Sequence, residues 1–172
     1  MAVKECQTGA PRRLLDICCG TADLALEMAA AVESAELVAG LDYSAPMLEA
    51  AVGKLSGTAN GGRIGFVQGD ASRMPFKDGT FDCVGIAFGF RNMTYKNPLA
   101  EAHLREVCRV LAEGGRYVIV ESSQPKVKVV NRLFKLYCRA FVYRVGAAFS
   151  GNKGAYRYLA ESAADYFRPD EV

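Results

Sequence analysis

The stretch that decides the fold runs from Arg12 to Ala29 and reads RRLLDICCGTADLALEMA. A short apolar segment, RLLDIC, is followed by a glycine and a threonine and then by residues that favour a helix. Short apolar segments that end at a turn are typical of buried strands, and the helix formers that follow mark a change of structure. The stretch therefore predicts a strand, a tight turn and a helix.

The same alternation of short apolar segments and helix-forming segments continues to about residue 123. We expect an α/β fold with a mostly parallel sheet, because strands that alternate with helices form parallel units with right-handed crossovers. A helix between Asn97 and about Leu111 is predicted to end at the EGG turn. The five predicted strands are RLLDIC, ELVAGLD, IGFVQGD, FDCVGIAFG and RYVIVESS.

The composition of the 172 residues, 51% hydrophobic and 23% charged, is that of one globular domain. The six cysteines form no CxxC pair and there is one histidine, so the spacing predicts no metal site. Free thiols and the lack of an apolar leader segment favour a reducing, cytosol-like compartment. Cys18 and Cys19 are interpreted as small buried side chains rather than as nucleophiles.

Charge is unevenly distributed along the chain. Residues 122–160 contain eight basic residues and no acidic one, although the net charge of the whole chain is only +2. Within this segment, VKVVNRLFKLYCRAFVYRV predicts a basic amphipathic helix. Two interpretations stay open: the helix packs its apolar side on the domain, or it contacts an anionic membrane surface. No base-reading motif accompanies it, so we expect no nucleic-acid partner.

Candidate ligand-binding residues follow the predicted strands. Gly20 and Thr21 follow the first, Asp42 the second, Asp70 the third and residues 88–92 the fourth. In open parallel sheets, ligands bind at the carboxyl ends of the strands, so we expect these residues to lie around one site. Glycine in the first turn would let a ligand approach the backbone closely.

The nature of the ligand follows from what the first turn contains. A dinucleotide site needs G-x-G-x-x-G, and only Gly20 is present here. Asp42 follows Gly20 by 22 residues, an offset suited to a carboxylate that binds a ribose diol. Asp16 and Asp23 would suit a cationic group at the other end of the ligand. A cationic nucleoside without phosphate, such as S-adenosylmethionine, fits these residues.

Five segments resemble the ubiquinone/menaquinone biosynthesis C-methyltransferases, a family of class I S-adenosylmethionine-dependent methyltransferases. The resemblance extends from about Arg13 to Asp170 and is most specific in the third and fourth segments. The segments, in chain order, are LLDICCGTADLA, GLDYSAPML, QGDASRMPFKDGTFDCVGIAFGFRNMTYK, EVCRVLAEGGRYVIVESSQP and YRYLAES.

The resemblance implies methyl transfer from S-adenosylmethionine to a ring carbon of a prenylated quinol, of either the benzoquinol or the naphthoquinol type. Arg91 and Asn92 would face the substrate ring as catalytic residues, whereas His103 is not expected to act as a base. Predicted cofactor-binding residues are Asp16, Gly20, Thr21, Asp42, Asp70, Ala71 and Ala87. Predicted substrate-binding residues are Phe88, Tyr156 and Tyr158.

The resemblance also implies a Rossmann-like sheet of order 3-2-1-4-5, with helices on both faces and a cofactor-binding core over residues 12–123. Residues 124–172 would form the basic helical segment on the substrate side. Family members have a helical lid before strand 1 and two closing strands, so we expect this chain to be a fragment whose activity is weak or absent. Ala22 stands where the family usually has glycine. Two alternatives remain: another small-molecule methyltransferase, or an inactive scaffold with this fold.

Partners and location are expected from the same resemblance. The chain should bind a prenylated quinol and contact a membrane surface peripherally, and a homodimer is left open. A cytoplasmic location is expected, or an organellar matrix or stroma in a eukaryote.

Overall fold

Five apolar segments form one parallel sheet in the computed structural model of the chain, which describes residues 2–55, 58, 61–142, 144, 154 and 161–164. The sheet order is β3-β2-β1-β4-β5, as the resemblance implies. The predicted α/β class is therefore confirmed. The strands are β1 (Arg13–Ile17), β2 (Leu37–Asp42), β3 (Ile64–Gln68), β4 (Phe81–Ala87) and β5 (Leu111–Val120).

Six α-helices with defined bounds lie before, between and after the strands, and residues 161–164 are also helical. A 3₁₀ turn, Gly61–Arg63, precedes β3, and a π-helical turn, Cys138–Val142, follows the sixth of these helices. The helices are α1 (Ala2–Cys6), α2 (Asp23–Ala31), α3 (Ala45–Leu55), α4 (Phe90–Thr94), α5 (Ala100–Val110) and α6 (Lys128–Tyr137).

The core is centred on β1, because this strand has a neighbour on each side and is covered on both faces. Leu14, Leu15 and Ile17 are completely buried, and Leu14 pairs with Val38 of β2 and Cys83 of β4. Continuous burial along a strand is typical of the middle of a parallel sheet. This arrangement fixes the carboxyl ends of β1, β2 and β4 beside one another, where the polar turns begin.

The last strand begins earlier than the sequence predicts. The predicted strand starts at Arg116, after the EGG turn, but β5 starts at Leu111 because Leu111 pairs with Phe81. The next aligned pair is Cys83 with Arg116, so the intervening residues form an irregular insertion in the ladder. Gly114 has a φ of 74°, which side chains disfavour. The EGG turn therefore lies within the strand instead of before it.

The chain divides into two compact units, one ending at Glu121 and the other beginning at Ser122. The first unit holds the whole sheet. In the second, α6 begins at Lys128, and Asn131 Nδ2 donates to Gln124 Oε1 at 2.8 Å and to the Pro125 carbonyl at 3.1 Å. Within the described part of the chain, no helix has the length and apolar character needed to cross a membrane.

Candidate functional site

The turn between β1 and α2 has a strained backbone. Cys18, Gly20 and Ala22 have φ values of 54°, 53° and 67°, all in the left-handed region. Only glycine adopts this conformation without a steric cost, so strain is stored at the two other positions. An added Cβ on Gly20 would meet no atom within 4 Å, so this side of the turn is open.

Asp42 ties the turns after the first three strands together. Its Oδ2 accepts the backbone N–H of Gly20 at 2.8 Å, and its Oδ1 accepts that of Ser44 at 2.8 Å. Its backbone carbonyl accepts the N–H of Gly69, the residue before Asp70, at 3.0 Å. The half-buried carboxylate is thereby fixed in place, and each oxygen keeps a lone pair for a further donor.

Asp16 is a buried carboxyl group at the end of β1. Its side chain is 1% exposed, and Oδ2 accepts the backbone N–H of Ala25 at 3.0 Å. Burial raises the pKa of Asp16 to about 8, the hydrogen bond from Ala25 opposes this rise, and the negative charge of Asp42 adds to it. A cation beside Asp16 would favour the ionised form, so the site suits a positively charged ligand.

The adjacent thiols of Cys18 and Cys19 have raised pKa values. Burial, with the charges of Asp42 and Asp16, raises the pKa of Cys18 to about 12, and burial likewise raises the pKa of Cys19. Because the thiolate is the reactive form, both groups remain unreactive near neutral pH. Within the described residues, no group of three or more acidic, histidine or cysteine side chains could hold a metal ion.

A cleft of about 390 Å³ opens at the carboxyl ends of β1, β4 and β5, a size within the usual range for small-molecule sites. It brings together Asp16, Gly20, Thr21 and Ala87 of the predicted cofactor residues with Phe88 of the predicted substrate residues. The described lining consists of Asp16, Cys18, Cys19, Gly20, Thr21, Asp23, Leu24, Glu27, Ala87, Phe88 and Val120.

Asp70 and Ala71 lie in the turn after β3. Asp70 is exposed, and its Oδ1 accepts the backbone N–H of Ser72 at 2.8 Å. Hydrogen bonds from Ser72 lower the pKa of Asp70, so the carboxylate is ionised at neutral pH. The Gly69 contact brings this turn next to Asp42, the other residue predicted to bind the nucleoside.

The residues after β4 differ in exposure. Phe88 has a φ of 58° and is 64% exposed, so a large ring stands at the cleft in a strained conformation. Arg91 is buried in α4, its backbone N–H donates to Glu121 Oε2 at 3.1 Å, and Asn92 is exposed. Neither is among the described residues that line the cleft. Tyr156 and Tyr158 lie outside the described residues.

Comparison with known families decides the assignment. The model of the ubiE/COQ5 methyltransferase family matches residues 1–172.

The chain belongs to this family.

Its relatives carry names that agree with the assignment. The chain is 41% identical over 164 residues to a demethylmenaquinone methyltransferase from Thermus thermophilus, covering 95% of this chain and 71% of that protein. It is 41% identical over 150 residues to a ubiquinone/menaquinone biosynthesis C-methyltransferase from Pseudomonas putida, covering 87% of this chain and 57% of that protein.

Solved structures agree on the fold. The crystal structure of the YcgJ protein from Bacillus subtilis superposes with a TM-score of 0.61 at 27% identity, covering 80% of this chain and 55% of that one. This chain, a member of the ubiE/COQ5 family, therefore has the Rossmann-like methyltransferase fold.

The residues around the first turn fit the methyl donor that this family implies. The open space over Gly20 admits close backbone approach, and the fixed Asp42 carboxylate retains acceptor capacity for a diol. Asp16 and Asp23 give the other end an acidic character that suits an ammonium or sulfonium group. The fit rests on the chemistry of these groups and on the room above the turn.

Two contacts at the first turn and one between α4 and α5 escaped the sequence analysis, because they join residues 33, 31 and 10 positions apart. Lys54 Nζ of α3 donates to Thr21 Oγ1 at 2.8 Å and to Asp23 Oδ1 at 2.7 Å, which holds the tip of the first turn. His103 is buried in α5 and its Nδ1 hydrogen-bonds to the Met93 carbonyl of α4 at 2.9 Å. In the sequence, Lys54 is a lysine near the end of a predicted helix and His103 is a histidine inside one. Neither pattern indicates the hydrogen bonds that these side chains form.

Proposed function

We propose that this chain binds S-adenosylmethionine at the turns after β1, β2 and β3 and methylates a ring carbon of a prenylated quinol. The observation that carries the proposal is the Asp42 carboxylate, which joins the Gly20 and Ser44 backbones at 2.8 Å each beside an open glycine turn. The names of the relatives support the quinol as substrate class, in either its benzoquinol or its naphthoquinol form.

Each turn has a distinct part in holding the donor. Asp42 accepts hydrogen bonds from the ribose diol, and the turn of Asp70 and Ala71 receives the adenine. Gly20 and Thr21 lie along the middle of the ligand, and Asp16 faces its cationic end. When bound, S-adenosylmethionine would supply the methyl group by in-line displacement: the bond to the ring carbon forms as the methyl–sulfur bond breaks, S-adenosylhomocysteine leaves, and the ring carbon then loses its proton to water.

The chain's main catalytic contribution is alignment. Orienting two reactants correctly contributes about 7–11 kcal/mol in good model systems. The ring carbon of the quinol becomes nucleophilic when the neighbouring hydroxyl ionises, and Arg91 stabilises that oxyanion directly or through water. Asn92 and the exposed Phe88 ring support binding of the quinol at the same end of the sheet.

Methyl transfer to defined quinols tests the proposal. The chain is incubated with S-adenosylmethionine and a short-tailed demethylnaphthoquinol or benzoquinol, and the products are analysed by mass spectrometry. We expect one added methyl group on a ring carbon, lost in Asp42→Ala and reduced in Arg91→Lys. Binding of the donor without transfer to either quinol would contradict the substrate assignment and favour another small-molecule methyltransferase.

A membrane contact through α6 is the second part of the proposal. Val129, Leu133 and Leu136 lie on one side of α6 and are 66%, 63% and 64% exposed, and Lys128 and Arg132 lie on the adjacent side. Exposed apolar residues beside basic ones are typical of helices that lie in an anionic lipid interface. Such a contact would bring the chain to a substrate with a prenyl tail.

Vesicle sedimentation tests the membrane contact. We expect binding to vesicles containing phosphatidylglycerol and weaker binding to pure phosphatidylcholine. Leu133→Asp should weaken binding to both, whereas Glu113→Gln, in the other unit, should leave it unchanged. Equal sedimentation of wild type and Leu133→Asp would contradict a role for α6.

A further inference from the structure

Glu106 and Arg109 form an ion pair on the inner side of α5. Arg109 Nε donates to Glu106 Oε1 at 2.6 Å and Nη2 donates to Oε2 at 2.8 Å, so the contact is bidentate. Their side chains are 28% exposed for Arg109 and 17% for Glu106. Glu106 Oε2 also accepts the backbone N–H of Met74 at 2.7 Å, which joins the pair to the loop between β3 and β4.

Arg109 uses its remaining donors on the same loop. Nη1 donates to the Phe76 carbonyl and to Asp78 Oδ1, both at 2.7 Å, and Nη2 donates to the Met74 carbonyl at 3.1 Å. The Arg109 carbonyl accepts the N–H of Gly79 at 2.8 Å. One arginine thus fixes the loop from residue 74 to residue 79, a role that suits the five-donor planar guanidinium and not an ammonium group.

The fixed loop leads directly into the turn that carries Asp70. Met74 is only 4% exposed, and the N–H of Arg73 donates to the Asp70 carbonyl at 3.0 Å. A Cβ placed on Gly69 would lie 3.5 Å from Pro75 Cδ, so Pro75 packs close to the backbone on the other side of Asp70. Both flanks of the exposed Asp70 turn are therefore tied to segments that Arg109 and Glu106 hold.

We propose that Arg109 is a positioning residue for cofactor binding, acting through Glu106 and the 74–79 backbone to fix the Asp70 turn that receives the adenine. The inference rests on the proposed function, because Asp70 meets a ligand only if the cofactor binds there. Arg109 itself does not touch the ligand. Without the Arg109 side chain, the Asp70 turn samples other conformations. The binding conformation is then less populated, so the apparent affinity for the cofactor falls.

A double-mutant cycle measured by titration calorimetry with S-adenosylhomocysteine tests the proposal. Arg109→Lys should weaken binding about tenfold, the loss expected from one hydrogen bond to a charged group. In the Asp70→Ala background, the same substitution should change the affinity less than about twofold, because the two residues act through one turn. A merely structural role for Arg109 would lower the melting temperature without this coupling.

Arg105→Ala is the matched control. Arg105 lies on the same helix and pairs with Glu101 at 2.6 Å, with both side chains largely exposed at 73% and 86%. Surface pairs of this kind contribute little, so the affinity should stay within about twofold of wild type. Glu106→Gln is a second variant in case Arg109→Lys does not fold, and it should show the same coupling to Asp70→Ala.

The outcomes separate this proposal from the proposed function. Suppose that the wild type and Arg105→Ala bind S-adenosylhomocysteine and that Asp70→Ala weakens this binding. If Arg109→Lys then binds like the wild type, only the positioning role is overturned. Additive effects of Arg109→Lys and Asp70→Ala also overturn it. If the folded wild type does not bind S-adenosylhomocysteine, the proposed function fails and the positioning role fails with it.

Discussion

Replacing Asp16 by asparagine should change how the stability of the protein depends on pH. Asp16 is 1% exposed, and burial raises the pKa of its carboxyl group to about 8. Asparagine has nearly the same shape and keeps an oxygen that can accept the Ala25 N–H, but it does not titrate. The difference in stability between the two proteins therefore reports the ionisation of this one group.

The sign and size of the effect follow from proton linkage. Below about pH 4 the Asp16 carboxyl group is protonated in both states, and its contribution to stability is complete. Between about pH 4 and pH 8 the unfolded chain loses a proton that the folded chain retains. The free energy of unfolding therefore falls by about 1.4 kcal/mol per pH unit, or about 4 kcal/mol between pH 5 and pH 8.

Urea unfolding at pH 5, 6, 7 and 8 measures this difference. Asp16→Asn should gain stability relative to wild type at each step, by up to about 1.4 kcal/mol per pH unit. Asp70→Asn is the control. Hydrogen bonds from Ser72 lower the pKa of Asp70, so the contribution of this carboxylate to stability is lost only at pH values below the measured range of pH 5 to pH 8. A constant difference between Asp16→Asn and wild type from pH 5 to pH 8 would refute the reasoning.

Three further substitutions test the turns. Gly20→Ala should still fold, because the added Cβ meets no atom, but it should lose about 1–2 kcal/mol of stability in urea unfolding. It should also weaken S-adenosylhomocysteine binding more than about tenfold in calorimetry. Unchanged affinity would contradict close approach of the ligand to the Gly20 backbone. Ala22→Gly should change stability by less than about 1 kcal/mol, because relief of the left-handed strain offsets a lost buried methyl group; a larger loss would show that this strain is small. Asp42→Asn should cost about 1–3 kcal/mol in thermal unfolding, because its amide nitrogen must face the N–H of Gly20 or Ser44, and an unchanged melting temperature would argue against those two bonds.

The parallel sheet was predictable because its central strands are continuous apolar segments that end at polar turns. β1 and β4 lie within the predicted segments RLLDIC and FDCVGIAFG and end one and two residues before them, and the strand order agrees with the resemblance. The site turns were predictable for the same reason, since strand ends in a parallel sheet meet at one edge. Gly20 and Asp42 are 22 residues apart in the sequence, and in the structure the N–H of Gly20 donates to Asp42 Oδ2 at 2.8 Å.

Short elements and long-range contacts were not predictable. α4 has only five residues and no side-chain cap, so no periodic pattern marks it, and α1 is equally short. The early start of β5 depends on Leu111 pairing with Phe81, a contact between residues far apart in the chain. The contacts of Arg109 with the 74–78 loop likewise join residues 31 to 35 positions apart, which no local pattern encodes.

The electrostatic character of the site also needed the structure. The sequence shows an acid at the end of β1, but an aspartate in this position can be exposed and ionised or buried and protonated. The packing of α2 over Asp16 buries the carboxyl group and raises its pKa to about 8, which favours the protonated state although the N–H of Ala25 opposes the rise. The same holds for Cys18, whose burial decides that the thiol is unreactive.

Titration calorimetry of the chain with S-adenosylhomocysteine, beside the folded Asp42→Ala variant, tests the central claim most directly. The account predicts one site per chain with micromolar affinity in the wild type and a loss of at least about tenfold in the variant, as expected for removing a charged acceptor. Arg105→Ala should bind like the wild type. A folded wild type that does not bind, or equal affinity in wild type and Asp42→Ala, would contradict a cofactor site at the ends of β1 and β2.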